Sequence, residues 1–402
     1  MLNIRVSRAT DRFRLLSQLA VCLAVVVLFV LSVESQAKPK CPGHPSCQPD
    51  DDGGGGGGED PPSDGAACVS SSGSFPAAVY QVDDVDKRGR VRGSAIYATN
   101  SDMTCSVHLL TRRKGDGLEF KMVGDEGFIT WTQNGADDAG RRDPLDPMVK
   151  LVKFQVIDKE ITTALPLPST SPYSMPETDF TGLADSTISD DGNALYVVEH
   201  FSTSSAPWVD KILEVDISSC SSNCGASEIF VRSDAAAGRL VSKGNRIYFG
   251  SLGNQEIPRD ELSYIENNSG WSATETVIAS SEDTLFPNGS FRADLSVASM
   301  DINDDGVAET VVATAAHGLD NGLGGVYLLN IDGCTSSTPL QSCLAAGSAT
   351  LVRRVDNYDL GEFVEGNLLV RIFDNNDWQR YDPLGDTTSG FVLEATDIDS
   401  SD

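Results

Sequence analysis

The nine residues from Asp301 to Glu309 carry the clearest chemical pattern in the 402-residue chain. Oxygen-bearing side chains occupy positions 1, 3, 5 and 9 of this segment, namely Asp301, Asn303, Asp305 and Glu309. Gly306 permits a tight turn, and the carbonyl of Val307 can point inward. A hard cation with about six to eight oxygen ligands suits this arrangement, and flexible carboxylates favour calcium over strictly octahedral magnesium. The segment predicts a calcium site, with a metal-free acidic turn as the alternative.

The surroundings of this segment are those of a strand hairpin. An EF-hand has Glu at position 12 of its loop and helices on both sides. Here position 12 is Val312, and the flanks Leu295–Met300 and Thr310–Thr314 are rich in strand-forming residues. We therefore expect a calcium loop between two strands.

The segment resembles the calcium loops of FG-GAP repeats, the blades of integrin-type propellers, whose pattern is Asp-x-Asn-x-Asp-Gly-x-x-Asp. It also resembles the calcium loop of PilY1-type pilus-tip adhesins. The resemblance covers roughly residues 298–332, including Gly324-Gly325-Val326-Tyr327. It implies calcium ligation by Asp301, Asn303, Asp305, the Val307 carbonyl and Glu309, with Glu replacing the usual final Asp.

A glycine followed by a hydrophobic run recurs six times, and these runs predict the elements around the loop. The copies begin at Gly93, Gly127, Gly192, Gly244, Gly306 and Gly366. A second strand follows each copy, and a third, more polar strand follows most of them, as at Leu118–Val123. Such periods are typical of repeat arrays and propellers. We predict an all-β fold, a six-bladed β-propeller spanning about residues 75–402.

The ends of the chain suggest how the ring closes. The sixth unit reaches Asp402 after its second strand, whereas Ala78–Asp83 precedes the first copy without a partner. We expect this N-terminal strand to close the last blade as its outer strand, because closure removes an exposed sheet edge. The intervals between glycines vary from 34 to 65 residues by subtraction, so an irregular β-sandwich array is the alternative.

The N-terminal region predicts export. Residues 1–37 combine four arginines, the apolar run Leu19–Val33 and a small-residue cleavage site at Ser35-Gln36-Ala37. An uncleaved signal anchor is the alternative; after cleavage no membrane span would remain. Residues 38–74 are rich in Pro, Asp and Gly and predict a disordered linker. The expected location is the periplasm, the cell surface or the extracellular space.

The charge of the chain limits its partners. It has 30 basic and 59 acidic side chains, and removing residues 1–37 leaves 26 against 57. This acidic balance argues against nucleic acid and against anionic membrane surfaces, since binding polyphosphates requires a basic face. It is compatible with cation binding or with solubility alone.

Eight cysteines follow the predicted signal peptide, and an even number in an exported chain indicates disulfides. Proximity predicts the pairs Cys41–Cys47, Cys220–Cys224 and Cys334–Cys343, which leaves Cys68–Cys105 by elimination. The second and third of these pairs follow equivalent strands of the repeat. The recurrence favours structural crosslinks over thiolate metal ligands.

The histidines offer a second candidate site. His200 and His317 each end a strand that we expect to be the inner strand of its blade, where channel ligands bind in propellers. Together with Glu199, Trp131, Trp208 and Asp320 they could form a polar, aromatic pocket. Each of these residues is more commonly a solvated loop residue.

Three functional hypotheses remain. The first is a non-enzymatic, calcium-stabilised propeller that binds an extracellular protein or glycan, as in adhesion. The second is a secreted propeller enzyme, such as a quinoprotein dehydrogenase, lactonase or polysaccharide-active enzyme, with its site at the central channel. No Gly-x-Ser-x-Gly, His-Glu-x-x-His or phosphate-binding glycine motif supports catalysis. The third, a structural component of a surface appendage, is implied only by the PilY1-type resemblance.

Overall fold

The described part of the structure, a computed structural model, begins near Cys68. It comprises residues 68–69, 73–85, 91–112, 116–133, 147–175, 181–203, 206–233, 236–252, 260–286, 289–318, 324–335, 341–356, 358–372 and 376–400. The chain divides into two units, Met1–Pro61 and Pro62–Asp402, and all described residues belong to the second. The predicted signal peptide, most of the predicted linker and the pair Cys41–Cys47 lie outside the described residues.

Six antiparallel sheets form a six-bladed β-propeller, which confirms the predicted fold class. Blade 1 contains β4 (Asp116–Val123), β5 (Glu126–Gln133), β6 (Met148–Ile157), β7 (Glu160–Ile161) and β8 (Ser169–Ser174). Blade 2 contains β9 (Thr181–Ile188), β10 (Ala194–Thr203), β11 (Ala206–Asp216) and β12 (Ala226–Ser233). Blade 3 contains β13 (Ala236–Lys243), β14 (Arg246–Leu252), β15 (Glu261–Glu266) and β16 (Thr276–Ser280).

The next two blades repeat this order. Blade 4 contains β17 (Gly289–Met300), β18 (Glu309–Gly318), β19 (Gly324–Asn330) and β20 (Thr350–Asp356). Blade 5 contains β21 (Tyr358–Val364), β22 (Asn367–Ile372), β23 (Asp377–Asp382) and β24 (Thr387–Glu394). A single helical turn, α1 (Cys343–Ala346), precedes β20, and Ser342 caps its N-terminus.

Blade 6 joins the two ends of the propeller. Its order is β25 (Asp397–Ser400), β1 (Ala78–Val85), β2 (Val91–Thr99) and β3 (Ser106–Arg112). The ladder between β1 and β25 runs antiparallel from Ala78 opposite Ser400 to Gln81 opposite Asp397. The unit that begins at Gly366 has four strands of its own in blade 5, so the blade that closes the ring is the one that contains Gly93. The prediction that the N-terminal strand helps to close the ring is confirmed. It is the second strand of that blade, however, and the C-terminal strand is the innermost.

The hydrophobic core consists of six clusters, one between each pair of neighbouring blades. In β10, for example, Leu195 and Val197 pack toward blade 1, whereas Tyr196 and Val198 pack toward blade 3. Both faces of this strand are therefore buried, because each sheet lies between two others. The near-continuous apolar runs of the second strands follow from this arrangement.

The order of strands within a blade differs from the prediction. Five glycine-led copies occupy the second strand of their sheet, not the innermost, and Gly93 lies on β2, the third strand of blade 6. The segment Leu118–Val123, predicted as a third strand, lies on β4, the innermost strand of blade 1. The interval of 34 residues after Gly93 therefore joins positions that are not equivalent.

Three disulfides lie in the described residues, and all three were predicted. They are Cys68–Cys105, Cys220–Cys224 and Cys334–Cys343. Cys68, near the end of the predicted linker, is buried, and its N–H donates to the carbonyl of Lys159 on blade 1. Among the described residues, no helix has the length and apolarity needed to cross a membrane.

Candidate functional site

The acidic segment lies on the hairpin between β17 and β18, as predicted. Met300 and Glu309 are opposite each other at its base. Ile302 is buried in the core between blades 4 and 5, which anchors the loop to the sheet. The backbone at Gly306 has a φ of +85°, a left-handed conformation that favours glycine.

Backbone N–H groups already organise the carboxylates of this loop. Asp301 accepts hydrogen bonds from the N–H groups of Asp305, at 3.0 Å, and Gly306, at 2.7 Å. Glu309 accepts from the N–H of Ile302 at 3.0 Å. Its other oxygen accepts from the amide of Asn303 at 2.6 Å.

The donor set of the loop suits a hard cation, although its carboxylates are not gathered around one point. Within the described ranges, no three His, Cys, Asp or Glu side chains converge closely enough to hold a metal ion. A carboxylate oxygen has two lone pairs, so a backbone hydrogen bond on one side leaves the other for a cation. The residues therefore fit calcium chemically, and binding would require Asp301, Asp305 and Glu309 to move together.

A second polar site lies at the centre of the ring, and it consists of residues that the sequence analysis did not single out. The innermost strands each contribute one central polar residue: Glu119, Asp185, Arg239, Ser296, Glu362 and Asp399. Successive innermost strands contact one another around the ring. We call these six residues the axial cluster.

Members of the axial cluster link neighbouring blades in alternation. Asp185 on blade 2 accepts a hydrogen bond from the N–H of Leu240 on blade 3 at 2.8 Å. Ser296 on blade 4 accepts from the N–H of Phe363 on blade 5 at 3.2 Å. Asp399 on blade 6 accepts from the N–H of Phe120 on blade 1. Blades 2, 4 and 6 thus provide the acceptors, and blades 3, 5 and 1 provide the donors.

Arg239 crosses the axis of the propeller. Its guanidinium lies 2.7 Å from Asp399 and 3.3 Å from Glu119, on the far side of the ring. Glu362, at 3.7 Å, and Asp397, at 4.0 Å, complete its acidic surroundings. One cation therefore holds together carboxylates from blades 1, 5 and 6.

Burial shifts the proton affinity of the whole cluster. It raises the pKa of Asp185 and of Asp399 to about 7, against the opposing effect of Arg239. Burial, reinforced by the charge of Asp399, also raises the pKa values of Glu119 and Glu362 well above their usual range. Burial disfavours the charged form of Arg239 and by itself would lower its pKa. The surrounding carboxylates have the larger effect and raise this pKa. The cluster therefore holds protons that exposed carboxylates would lose.

A small cavity of about 20 Å³ adjoins the cluster and is lined by all six innermost strands, so it lies on the axis. Glu119, Glu362 and Asp399 line it together with Ser296 and residues of the neighbouring strands. A space of this size accommodates about one water-sized particle. Side chains therefore nearly fill the described part of the channel at the level of the axial cluster.

His200 forms a dyad with an acidic residue, but not at the channel. It lies on β10, the second strand of blade 2, and its Nδ1 is 2.6 Å from Asp210 Oδ1. Asp210 is almost completely buried, whereas the imidazole is partly exposed. A carboxylate so placed orients an imidazole ring. The prediction that His200 ends an innermost strand was wrong, because β9 lies between it and the axis.

The other residues of the predicted pocket do not meet at one place. Glu199 lies on the opposite face of β10 from His200, where its carboxylate accepts a hydrogen bond from the hydroxyl of Tyr173 on blade 1. Trp131 is buried between blades 6 and 1, with the Arg112 guanidinium 5.5 Å from its ring centre. The side chains of His317, Trp208 and Asp320 lie outside the described residues. The structure therefore separates Glu199, His200 and Trp131 into different surroundings.

The chain is similar in fold to solved structures, but the two comparisons by sequence found no match. No family model matches the chain, and no curated protein matches it. A chain of the nidogen–laminin complex is similar over 80% of this chain and 97% of its own, with 10% identity and a TM-score of 0.47. A 6-phosphogluconolactonase candidate from Bacteroides uniformis is similar over 80% and 99%, with 10% identity and a TM-score of 0.42.

Prolyl oligopeptidase B from Galerina marginata is similar over 80% of this chain and 40% of its own, with 11% identity and a TM-score of 0.43. These likenesses concern the fold alone. The six-bladed assignment rests on the sheets themselves, and the FG-GAP or PilY1-type resemblance of the Asp301–Glu309 loop stays a prediction.

Proposed function

We propose that the protein is an exported, calcium-binding β-propeller that binds a protein or glycan outside the cytoplasm. The loop from Asp301 to Glu309 carries this proposal. It holds oxygen-bearing side chains at positions 1, 3, 5 and 9 on one hairpin, and its backbone conformation at Gly306 permits the turn that a cation site needs.

Calcium would be held by Asp301, Asn303, Asp305, the Val307 carbonyl and Glu309. Asn303 and Asp305 are exposed and can rotate inward, whereas Glu309 is buried at the base of the hairpin. The cation would balance three carboxylates that lie within nine residues of one another. Its binding would stabilise the hairpin and, through Ile302, the interface between blades 4 and 5.

The disulfides support a location outside the cytoplasm. Three pairs lie within the described residues, and such bonds persist in oxidising compartments. The signal peptide predicted at residues 1–37 agrees with this location. The periplasm and the cell surface are equally compatible with these observations.

The filled axis favours a binding module over an enzyme with a channel site. Pockets for small organic ligands typically have volumes of about 300–1,000 Å³. The axial cavity, at about 20 Å³, is far smaller than a sugar or a quinone. We therefore place ligand recognition on the exposed faces of the propeller, which suit a protein or a glycan.

Calcium binding is tested by thermal unfolding of the Asp301→Ala/Asp305→Ala variant. The unmodified protein should gain about 2.7 kcal/mol when free calcium is about 100-fold above its dissociation constant. The double variant should lose this gain, so its own unfolding temperature should be the same in calcium and in chelator. Asp191→Ala is the matched control, because Asp191 caps the equivalent hairpin of blade 2 by accepting from Ser189 and Asn193.

Two results would contradict the proposal. Calcium that leaves the unfolding temperature of the unmodified protein unchanged would refute the metal site. Turnover of sugars or esters by the purified, calcium-loaded protein would refute the non-enzymatic function. Calcium-dependent retention on a glycan array or on a surface protein, lost in the double variant, is the expected outcome.

The His200–Asp210 dyad supports a second candidate, a secreted enzyme with its site on a face of the propeller. A partly exposed imidazole held by a buried carboxylate can act as a general base. If this candidate is correct, His200→Gln should abolish ester or lactone turnover without changing the unfolding temperature by more than a few degrees. A structural role in a surface appendage has no supporting contact among the described residues.

A further inference from the structure

Two disulfides occupy the same place in the repeat but differ in burial. Cys220 follows the end of β11 by four residues, and Cys334 follows the end of β19 by four residues, by subtraction. Cys334 and its partner Cys343 are both 0% exposed and belong to the core between blades 3 and 4. Cys220 is half-buried, and Cys224 is 9% exposed at the edge of the core between blades 1 and 2. The fold therefore encloses the bond of blade 4 and leaves that of blade 2 accessible.

The turn that contains Cys220–Cys224 faces solvent. Residues 221–223, between the two cysteines, are exposed, and so are Ser219 and Gly225 on either side. A thiolate must contact the disulfide sulfur that it attacks, so access governs the rate of exchange. A buried disulfide becomes accessible only when the fold opens around it. Under native conditions a reductant should therefore reach Cys220 before it reaches the enclosed bond of blade 4.

The loop that Cys220–Cys224 closes is the shortest of the three in the described structure. Its cysteines are 4 residues apart in sequence, whereas the other two pairs are 9 and 37 residues apart. Closing a short loop removes little entropy from the unfolded chain, so opening it costs the fold little. The ladder between β11 and β12 ends at Val215 opposite Ala226 and does not include the turn. The bond can therefore open and re-form while blade 2 stays folded.

The same turn joins blade 2 to β8, an outer strand of blade 1. The N–H of Asn223 donates to the carbonyl of Ser171 at 3.3 Å, and the N–H of Cys224 donates to that of Pro172 at 2.7 Å. Ser222 forms a parallel bridge with Ser171. These contacts all come from the segment that the disulfide holds in shape. The redox state of the bond is therefore coupled to a contact between two blades.

We propose that Cys220–Cys224 is a site of thiol–disulfide exchange with a dithiol reductant, and that its reduction releases β8 of blade 1 from blade 2. Cys334–Cys343 stays closed because both of its cysteines are enclosed in the core. Cys68–Cys105 stays closed because opening it would release a loop of 37 residues and cost the fold more. One crosslink is thus reversible, and the other two are permanent.

The exchange proceeds in two steps. A thiolate of the reductant attacks Cys220 Sγ, the sulfur–sulfur bond breaks, and Cys224 leaves as a thiolate. The second thiolate of the reductant then attacks the reductant sulfur bound to Cys220, which releases Cys220 and closes a disulfide in the reductant. Two electrons pass from the dithiol to the protein, and the two protons that the dithiol loses are taken up by the two cysteines.

The first test is limited reduction of the full chain by dithiothreitol under native conditions, followed by iodoacetamide and peptide mass mapping. Cys220 and Cys224 should be labelled at least about tenfold faster than Cys334 and Cys343, because the enclosed pair must wait for local opening. Urea well below the unfolding midpoint should accelerate labelling of the enclosed pair and leave the rate at Cys220 unchanged.

The second test is hydrogen exchange of the oxidised and the partly reduced protein. Reduction should accelerate exchange at the amides of Asn223 and Cys224 and in β8, because their contact is released. Cys220→Ala/Cys224→Ala should exchange as fast in these segments as the reduced protein and should not respond to dithiothreitol. Cys334→Ala/Cys343→Ala is the matched control, since it removes the equivalent bond of blade 4, and it should keep the response.

Equal labelling rates at the Cys220–Cys224 and Cys334–Cys343 pairs would overturn the exchange site. Reduction of Cys220–Cys224 that leaves hydrogen exchange in β8 and in the turn unchanged would overturn the release of the blades. If Cys220→Ala/Cys224→Ala does not fold, the unmodified protein, reduced and alkylated at these two cysteines alone, takes its place in the second test.

Discussion

At the scale of single residues, Arg239 forms ion pairs with carboxylates of several blades. It originates from blade 3 and contacts carboxylates of blades 1, 5 and 6, so its side chain spans the axis. Removing one partner of a buried ion pair leaves an uncompensated charge, which is more costly than the pair is stabilising. The stability of the ring therefore depends on the protonation of the axial cluster.

The raised pKa of Asp185 predicts a pH-dependent stability. Its pKa is about 7 in the folded protein and near 3.8 in the unfolded chain, so the folded state binds more protons between these values. Its contribution is complete below pH 4 and is lost as pH rises through about 7. From about pH 5 to about pH 8, Asp185 alone should lower the free energy of unfolding by roughly 2–3 kcal/mol.

Urea unfolding at both pH values measures this effect. Asp185→Asn should flatten the pH dependence by the same amount, because the amide still accepts from the N–H of Leu240 but does not titrate. Asp216→Asn is the control, since Asp216 is exposed, has a lowered pKa and should leave the slope above pH 5 unchanged. An identical slope in Asp185→Asn and in the unmodified protein would contradict the assignment.

The two candidate sites differ in how far they can be predicted from the sequence. The loop from Asp301 to Glu309 is contiguous, so its donors are visible in one line of residues. The axial cluster is assembled from six distant strands, and its members are single polar residues. A signal existed in Leu118-Glu119-Phe120 and Ile398-Asp399, where a charge interrupts an apolar strand. Without knowledge of which strand is innermost, that signal cannot be interpreted.

At the scale of elements, the turns that carry disulfides also join neighbouring blades. The turn closed by Cys220–Cys224 lies against β8 of blade 1, where the N–H of Cys224 donates to the carbonyl of Pro172 at 2.7 Å. In blade 4 the carbonyl of Cys334 accepts from the hydroxyl of Tyr264 on blade 3. The crosslinks thus stabilise turns that serve as contacts between sheets.

The disulfides should differ in their contributions according to the loops they close. Cys68–Cys105 spans 37 residues, Cys334–Cys343 spans 9 and Cys220–Cys224 spans 4. In the chain-entropy description, their removal should cost about 4, about 2.5 and about 2 kcal/mol respectively. Urea unfolding of the three double-alanine variants measures this order. Equal losses in all three would show that loop length does not govern these crosslinks.

The element boundaries were largely predictable, whereas the order of strands within a blade was not. Apolar runs between turn residues located β10, β14, β18 and β22 because both faces of these strands are buried. The same runs do not reveal whether a strand is first or second from the axis. Hydrogen bonding between strands decides the order, and it assigns the segment Leu118–Val123 to an innermost strand.

At the scale of the whole molecule, closure of the ring depends on the four-residue strand β25. β25 (Asp397–Ser400) is the innermost strand of blade 6 and supplies Asp399 to the axial cluster. Deleting residues 397–402 should expose the edge of β1, because its partner strand is lost, and should remove a carboxylate from Arg239. We expect the unfolding temperature to fall by more than about 10 °C, or the protein to associate through the open edge.

The Asp397→Asn/Asp399→Asn variant separates the two effects, since it keeps the strand and removes its charges. It should elute at the same volume as the unmodified protein in size-exclusion chromatography and unfold in a single transition. A truncated protein that unfolds at the same temperature as the full chain would show that β25 does not close the ring.

The alternation of acceptors and donors around the axis has a consequence for the size of the ring. Acceptors lie on blades 2, 4 and 6, and donors lie on blades 3, 5 and 1, so the bonded unit is a pair of blades. The glycines separated by one such pair also recur evenly, at 117 residues from Gly127 to Gly244 and 122 from Gly244 to Gly366 by subtraction. Inserting a single blade would interrupt this alternation, because two neighbouring interfaces would then lack the same side-chain acceptor. By its axial hydrogen bonds the ring is therefore built from three pairs of blades, and its internal repeat is three-fold rather than six-fold.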